Sequence, residues 1–446
     1  MMVHSTGPAL KIGPISFSPW IRLNNVLTLV YASFIWLTTV SFINFLQPYL
    51  LEAILHVPAD TQGRISGNLT VLQEIILIIV GGVAGAYSDK VGRRIIFASG
   101  FAVIGIGFFI YPLAASVTQL FLFRSVFAVG VGLGAVMFSA CIQDYPKEGS
   151  RGRWIAIIGV FTGLGAMFMA LVLSKMPVWL IALGFSEVEA GMYSCWFASL
   201  LSFITAVVLA FGISNPPRHE KERKNHILSD LLVGLQQAKN PRLALAYFSA
   251  FVGRGDLVVI AVFFSLWFVR DGADLGIRPE VSIARAGMLF GIVQLSALLW
   301  GLVMGTIVDK INRVHAVCIA YSIATLAYLL MGLYGSGDPN QALSLKMILF
   351  AIFLGMGEIS VINAGGAILG QEAPPKIRGS IMGVFAALGA TGIIFASSIG
   401  GMLFDNWLRS GPFIMMAVLN GLLLIFALTL VYLKLTKPKT HQRLVQ

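Results

Sequence analysis

Four charged side chains sit deep inside apolar runs of this chain: Arg124, Arg254, Asp256 and Glu358. Charge is costly at such depth, and it is kept there where it binds a solute, relays a proton or pairs with a neighbour. An arginine stays charged and offers a planar fork of donors that fits a carboxylate or phosphate. A carboxylate in the same setting can take up and release a proton. Asp256 lies 13 residues into its run, roughly 20 Å along a helix and so near the bilayer midplane. Glu358 lies midway along another run, and Arg124 falls in the outer portion of a third, as does Glu74 in a fourth. Arg254 and Asp256 are two apart, so on a regular helix they point to nearly opposite sides. Gly253 and Gly255 flank the arginine and predict a local break there. The expected chemistry is a competitive exchange. Asp256 or Glu358 pairs with Arg254 when the site is empty, and protonation frees the arginine for an anionic solute. The alternative is a static buried pair that holds two helices together.

Other chemistries fit less well. Gly253-Arg-Gly255-Asp256 matches the Gly-x-Gly-Asp pattern of intramembrane aspartyl proteases, but that reaction needs a second aspartate facing the first. No other aspartate falls deep in an apolar run. There is no intramembrane His-Glu-xx-His or serine-elbow pattern either, so no enzyme is expected. Cys141, Cys195 and Cys318 all lie in apolar runs and suit buried small hydrophobes, not a disulfide framework or a metal site.

The elements that carry these charges must be membrane spans. Of 446 residues 57% are hydrophobic and 11% charged, too little polar surface for a soluble protein of this length. A span needs about 20 apolar residues. Twelve such runs lie near 24–48, 66–88, 95–115, 118–143, 154–174 and 192–213, then 243–268, 286–308, 314–334, 345–371, 379–403 and 412–434. The apolar link from Pro177 to Glu189 reads as an interfacial helix. Residues 1–23 contain Gly7, Pro8, Gly13 and Pro14 where a signal peptide would have a basic start and an apolar core, so the first span is expected to direct insertion. With both termini inside, 22 of the 31 Lys and Arg residues fall on the cytoplasmic side, as the positive-inside bias requires. That distribution explains the net charge of +11 without a nucleic-acid partner. The one long polar connection, 214–242, holds a charged, proline-containing stretch and then Ser229 to Ala238, an amphipathic helix. It divides the chain into 1–213, a linker at 214–242, and 243–446.

Two of the spans end alike, 220 residues apart. The first reads Gly81-xxx-Gly85-xxx-Asp89-Lys90-xx-Arg93-Arg94 and the second Gly301-xxx-Gly305-xxx-Asp309-Lys310-xx-Arg313. Glycines four apart share a helix face and let backbones approach. The repetition implies two similar halves. At these residues the chain resembles the major facilitator superfamily of twelve-helix secondary transporters. Gly85, Asp89, Lys90, Gly92, Arg93 and Arg94 fit every position of that family's loop between helices 2 and 3, and Asn312 replaces the later glycine in the second copy. Asp144, Pro146 and Arg151-Gly152-Arg153 resemble the family's element between helices 4 and 5, with Glu372 and Arg378-Gly379 as its counterpart.

The resemblance implies that Asp89, Arg94, Asp144 and Arg151 form a charge network closing the cytoplasmic side. It also implies that helices 1, 4, 7 and 10 line a central cavity, which puts Arg124, Arg254, Asp256 and Glu358 on cavity helices. Arg124 is similar to the family's helix-4 arginine and precedes a glycine run, Gly130, Gly132 and Gly134. In the family's drug antiporters helix 5 carries a Gly-Pro pair, whereas Gly159, Gly163 and Gly165 here come without proline. The expectation is therefore an all-α membrane protein of two pseudo-symmetric six-helix bundles. It would move a small organic solute, an anion by preference, by alternating access under a proton gradient, with no other cofactor. The alternative is a proton-driven exporter of drugs or metabolites. A monomer in a bacterial inner membrane is expected, with both termini cytoplasmic.

Overall fold

The computed structural model describes residues 10–216, 227–374 and 377–436, apart from the side chains of Ala86, Asp89, Lys90 and residues 227–230. Among the described residues, twelve helices are long and apolar enough to cross a bilayer. In chain order they are α1 Leu23–Ala53, α2 Gln62–Val91, α3 Arg93–Ile110, α4 Val117–Asp144, α5 Arg151–Leu171 and α6 Glu187–Gly212. The second set is α7 Pro241–Asp274, α8 Pro279–Lys310, α9 Arg313–Tyr334, α10 Leu345–Glu372, α11 Arg378–Asn406 and α12 Gly411–Tyr432. The link after α5 carries the expected short helix, Met176–Ala182, and the central linker carries a helix over Ile227–Gln236. The charged stretch before that linker helix lies outside the described residues.

Local chemistry sets the helix ends. Ser116 and Ser344 cap α4 and α10 through their hydroxyls, and Ser186 with Glu189 forms a capping box at α6, supplying acceptors to otherwise orphan N–H groups. Asn240 caps α7 with Pro241 at the first helical position, where a missing N–H costs nothing. Helix α8 starts seven residues before its apolar run, because Pro279 and an acidic first turn at Glu280 make a good helix start that hydropathy does not register.

The chain forms two compact units. The first comprises the residues up to Pro58, Leu69 to the linker, and Ile277–Gly287; the second comprises Ala59–Asn68, the rest of the linker to Gly276, and the residues from Met288 on. The expected division into 1–213 and 243–446 thus places the starts of α2 and α8 in the other unit. The packing within the second unit repeats that of the first. In the first, α3 packs on α4 and α6, and α1 on α5; in the second, α9 packs on α10 and α12, and α7 on α11. Small residues bring the backbones close. A Cβ on Gly130 of α4 would meet Ile104 N of α3 at 2.6 Å and Gly100 O at 2.8 Å.

In the first unit the residues before α1 form a strap. Two short strands, β1 Lys11–Ile12 and β2 Ile15–Ser16, pair antiparallel around Gly13 at φ +54°. Phe17 then bridges to Pro146, Ser18 N donates to Tyr145 O at 2.8 Å, and Lys147 N donates to Ser16 O at 2.9 Å. Phe17 is fully buried and meets Trp154 edge-on, with ring centroids 5.1 Å apart. Trp20 meets Tyr145 in the same way at 5.6 Å. Burial pushes the Tyr145 phenol well above its ordinary range, so the hydroxyl stays neutral and accepts from Ser214 N at 3.4 Å.

In the second unit the linker helix lies on α11. A Cβ on Gly234 would stand 2.4 Å from Ser380 O, and Tyr247 of α7 donates to Gly234 O at 2.8 Å. The start of α2 is held there by Asp405, whose two carboxylate oxygens accept from Gly63 N and Arg64 N, each at 2.8 Å.

Candidate functional site: unpaired charge inside each bundle

Arg124 projects from α4 into the interior of the first unit and is 0% exposed. Its Nη2 donates to Asn44 Oδ1 of α1. The guanidinium carbon stands 5.9 Å from the Tyr111 ring centroid and 5.3 Å from that of Phe127, both within cation–π reach. Tyr111 donates in turn to Gln47 Oε1 at 3.2 Å. Nε and Nη1 of Arg124 are buried without a hydrogen-bond partner, and no described carboxylate is ion-paired with it. The site is a guanidinium held by one amide and two aromatic rings, with donors to spare.

The second unit holds the opposite charge. Asp256 on α7 is 0% exposed and Glu358 on α10 is 5% exposed. Asn420 Nδ2 of α12 donates to Asp256 Oδ1 at 2.9 Å and also to Met416 O at 2.9 Å. Tyr328 of α9 donates to the Asp256 carbonyl at 3.0 Å. Asp256 Oδ2, Glu358 Oε2 and Asn420 Oδ1 are buried with no partner. Neither carboxylate has an ion pair among the described residues.

Among the described residues no ion pair joins Arg254 to either carboxylate. Arg254 is exposed and runs beside Gly389 of α11, where a Cβ would stand 3.0 Å from Arg254 Cγ. Helix α7 stays α-helical through Val258, so a two-residue spacing turns Arg254 and Asp256 to different faces. Gly253 and Gly255 do not break the helix. They admit neighbours instead: a Cβ on Gly253 would lie 3.0 Å from Val361 Cγ1 of α10, and one on Gly255 3.0 Å from Met416 Cε of α12. The irregularity comes one turn later, as a π-helical segment at Val259–Phe263.

At the expected gate, Arg93 pairs with Asp144, not Arg94. Gly92 at φ +99° breaks the chain direction and restarts it as α3, and this turns Arg93 towards α4. Arg94 is exposed, and its N–H goes to Asn215 Oδ1 at 2.9 Å. Arg151 is exposed at the start of α5. The side chains of Asp89 and Lys90 lie outside the described residues. Gly85 is half-buried, and a Cβ there would stand 3.7 Å from Val136 Cγ1. In the second copy Asp309 and Lys310 are exposed, and Arg313 donates to Ala367 O at 2.8 Å. Glu372 takes a partner that the sequence reading did not name. Arg242 Nη1 pairs with it at 2.8 Å and Asn240 Nδ2 donates at 2.9 Å, while Arg378 is exposed. The cysteines are free, Cys141 and Cys195 buried and Cys318 half-buried.

Twelve spans in two like bundles, each with unpaired charge in its interior, define a polytopic membrane protein of the transporter class. The chain belongs to the Major Facilitator Superfamily, whose family model matches residues 29–345 and 272–444. It is similar to the magnetosome protein MamH of Paramagnetospirillum magneticum, at 25% identity over 92% of this chain and 93% of that one. It is also similar to the probable nitrate transporter NarT of Staphylococcus epidermidis, at 27% identity over 81% of this chain and 86% of that protein. A solved structure of the nucleoside transporter NupG superposes with a TM-score of 0.70 at 16% identity, covering 93% of this chain and 100% of that chain; at that identity the likeness is one of fold.

Proposed function

We propose that this protein is a secondary transporter that moves a small organic anion across the membrane by alternating access, driven by the proton gradient. The observation that carries the reading is the buried Arg124 guanidinium, which has two donor nitrogens unpartnered and no described carboxylate paired with it. A permanent charge kept in that state answers to a mobile anion better than to a structural need. Arg254, without a described ion pair on α7, is the second anion-binding candidate. The name of one relative, a probable nitrate transporter, agrees with an anionic solute. Asp256 and Glu358 supply groups that can carry protons. The Arg93–Asp144 pair, with Gly85, Asp89, Lys90, Gly92 and Arg94, would belong to a cytoplasmic gate with Arg151; Asp309, Lys310, Arg313, Glu372 and Arg378 would serve the second half. The protein would work as a monomer in a bacterial inner membrane with both termini in the cytoplasm, where the basic residues concentrate.

A second reading, a proton-driven exporter of hydrophobic cations, is favoured by the two buried carboxylates without a basic partner. Uptake into proteoliposomes under an imposed pH gradient separates the two. The panel is nitrate, aliphatic and aromatic carboxylates, a sugar phosphate, a neutral sugar and a cationic dye. An anion accumulates, and Arg124→Gln and Arg254→Gln each lower its uptake by an order of magnitude or more. Dye transport that survives both substitutions, with no anion moved, overturns the anion reading.

A further inference from the structure

Each end of the central linker is seated beside one of the charge pairs assigned to the gate. At its start, Asn215 Oδ1 accepts from Arg94 N at 2.9 Å, one of the orphan N–H groups at the head of α3. The helix cannot cap itself there, because its N-cap residue is Gly92 and contributes no side-chain bond. The seat also depends on that glycine: a Cβ on Gly92 would stand 2.7 Å from Asn215 Nδ2. Ser214 N donates to the Tyr145 hydroxyl at 3.4 Å. The linker therefore holds the residue after Arg93 and the residue after Asp144, the two members of the pair. At its other end Asn240 uses both polar atoms of its amide. Oδ1 accepts from Arg242 N at 3.1 Å and caps α7, while Nδ2 donates to Glu372 Oε2 of α10 at 2.9 Å. Arg242 Nη1 pairs with Glu372 Oε1 at 2.8 Å, and Nη2 donates to Gln371 Oε1 at 2.9 Å. The pair is only 2% and 3% exposed, so Glu372 relies on Arg242 and Asn240 where water does not reach.

We propose that the linker is a working part of the gate in each unit and not a passive tether. Asn215 and Asn240 are its positioning residues: the first fixes the turn that carries Arg93 against Asp144, and the second holds Glu372 to Arg242. The proposal rests on the transport reading for the purpose of the gates, though not for the anchoring itself. A tether needs only length and flexibility. A helix cap borrowed from 121 residues away is a contact that length alone does not call for. Neither is an asparagine whose donor goes to a carboxylate of another helix. The two amides differ in what they supply. Asn215 acts through an acceptor, which an aspartate also provides, and negative charge suits a helix N-terminus. Asn240 acts through a donor as well, and an aspartate there would set a second carboxylate against Glu372. The same substitution is thus harmless at one end and disruptive at the other.

Hydrogen exchange of the purified full-length protein, read peptide by peptide, tests this without a solute. Asn215→Ala speeds exchange about fivefold or more in the first turn of α3 and also at the end of α4, and leaves the second unit unchanged. Asn215→Asp keeps the parent rates. Asn240→Asp speeds exchange at the end of α10 and leaves the first unit unchanged. Asn240→Ser, which keeps a capping oxygen and adds no charge, does so more weakly and serves if the aspartate variant does not fold. In an Arg93→Gln background Asn215→Ala no longer alters the end of α4, a dependence that a plain helix cap would not show. Cleavage at a protease site placed between Lys221 and Glu222 leaves both ends at parent rates. The proposal is overturned if the effect of Asn215→Ala stays within α3 or reaches α4 without Arg93. It is overturned equally if Asn215→Asp behaves as the alanine variant does, if Asn240→Asp leaves α10 unaltered, or if cleavage releases both ends. Proteoliposomes that move no member of the solute panel while these exchange results hold count against the transport reading and leave the anchoring standing.

Discussion

Arg93 pairs with Asp144, and so ties the first turn of α3 to the last residue of α4 within the first unit. Both side chains keep some water contact, 17% and 31% exposed, which limits the strength of the pair. Arg93→Gln and Asp144→Asn are each expected to cost about 1 kcal/mol or less, and the double variant no more than the worse single one. Arg94→Gln is expected to leave stability unchanged. Thermal unfolding of the purified variants measures all four, and a larger loss from Arg94→Gln than from Arg93→Gln would refute the assignment.

Removing the charge of Arg124 separates a structural from a binding role. A buried charge without a counter-charge destabilises its surroundings. Arg124→Met is therefore expected to leave the unfolding temperature unchanged or raised while transport falls by an order of magnitude or more. A protein that loses both stability and transport would show that the guanidinium mainly holds α4 to α1.

The α3–α4 crossing tolerates no side chain at Gly130. With Ile104 N at 2.6 Å and Gly100 O at 2.8 Å from the position of a Cβ, Gly130→Val forces backbone apart and costs about 1–3 kcal/mol. Gly152→Ala, where nothing lies within 4 Å of that position, is the control and is expected to be neutral or slightly stabilising. Size-exclusion profiles of the two variants, with their melting temperatures, give the comparison.

The strap predicts a protease phenotype. Phe17→Ala empties a fully buried position against Trp154 and costs about 3 kcal/mol, concentrated where the α4–α5 loop meets β2. Trypsin is expected to cut faster after Lys147, Arg151 or Arg153 in this variant, with the other loops unaffected. Uniform acceleration at every loop would indicate general unfolding instead.

Much of this was readable in advance. The twelve spans follow from the length of the apolar runs, and the opposite facing of Arg254 and Asp256 follows from their spacing. The partner of Asp256 did not follow. Asn420 is one amide in the apolar run of α12, and only the packing of α7 on α12 brings it to α7. Its signal was an amide among leucines and methionines, weak because such groups commonly bond to their own helix, as Asn420 also does to Met416. The choice between Arg93 and Arg94 rested on the positive φ of Gly92, a backbone angle that residue types permit but do not specify. The strap was missed because an irregular segment has no periodicity to read. Its apolar residues, Ile15, Phe17 and Ile21, mattered only once the α4–α5 loop was in place.

That same strap acts as a parity check on biogenesis. Phe17 leaves the ribosome long before Trp154, and the two can meet only if the segments between them cross the bilayer an even number of times. Four crossings satisfy that condition, whereas the loss of a single crossing strands the two rings on opposite sides of the membrane. The edge-on contact of two aromatic rings therefore fixes the parity of the crossings made by α1 to α4.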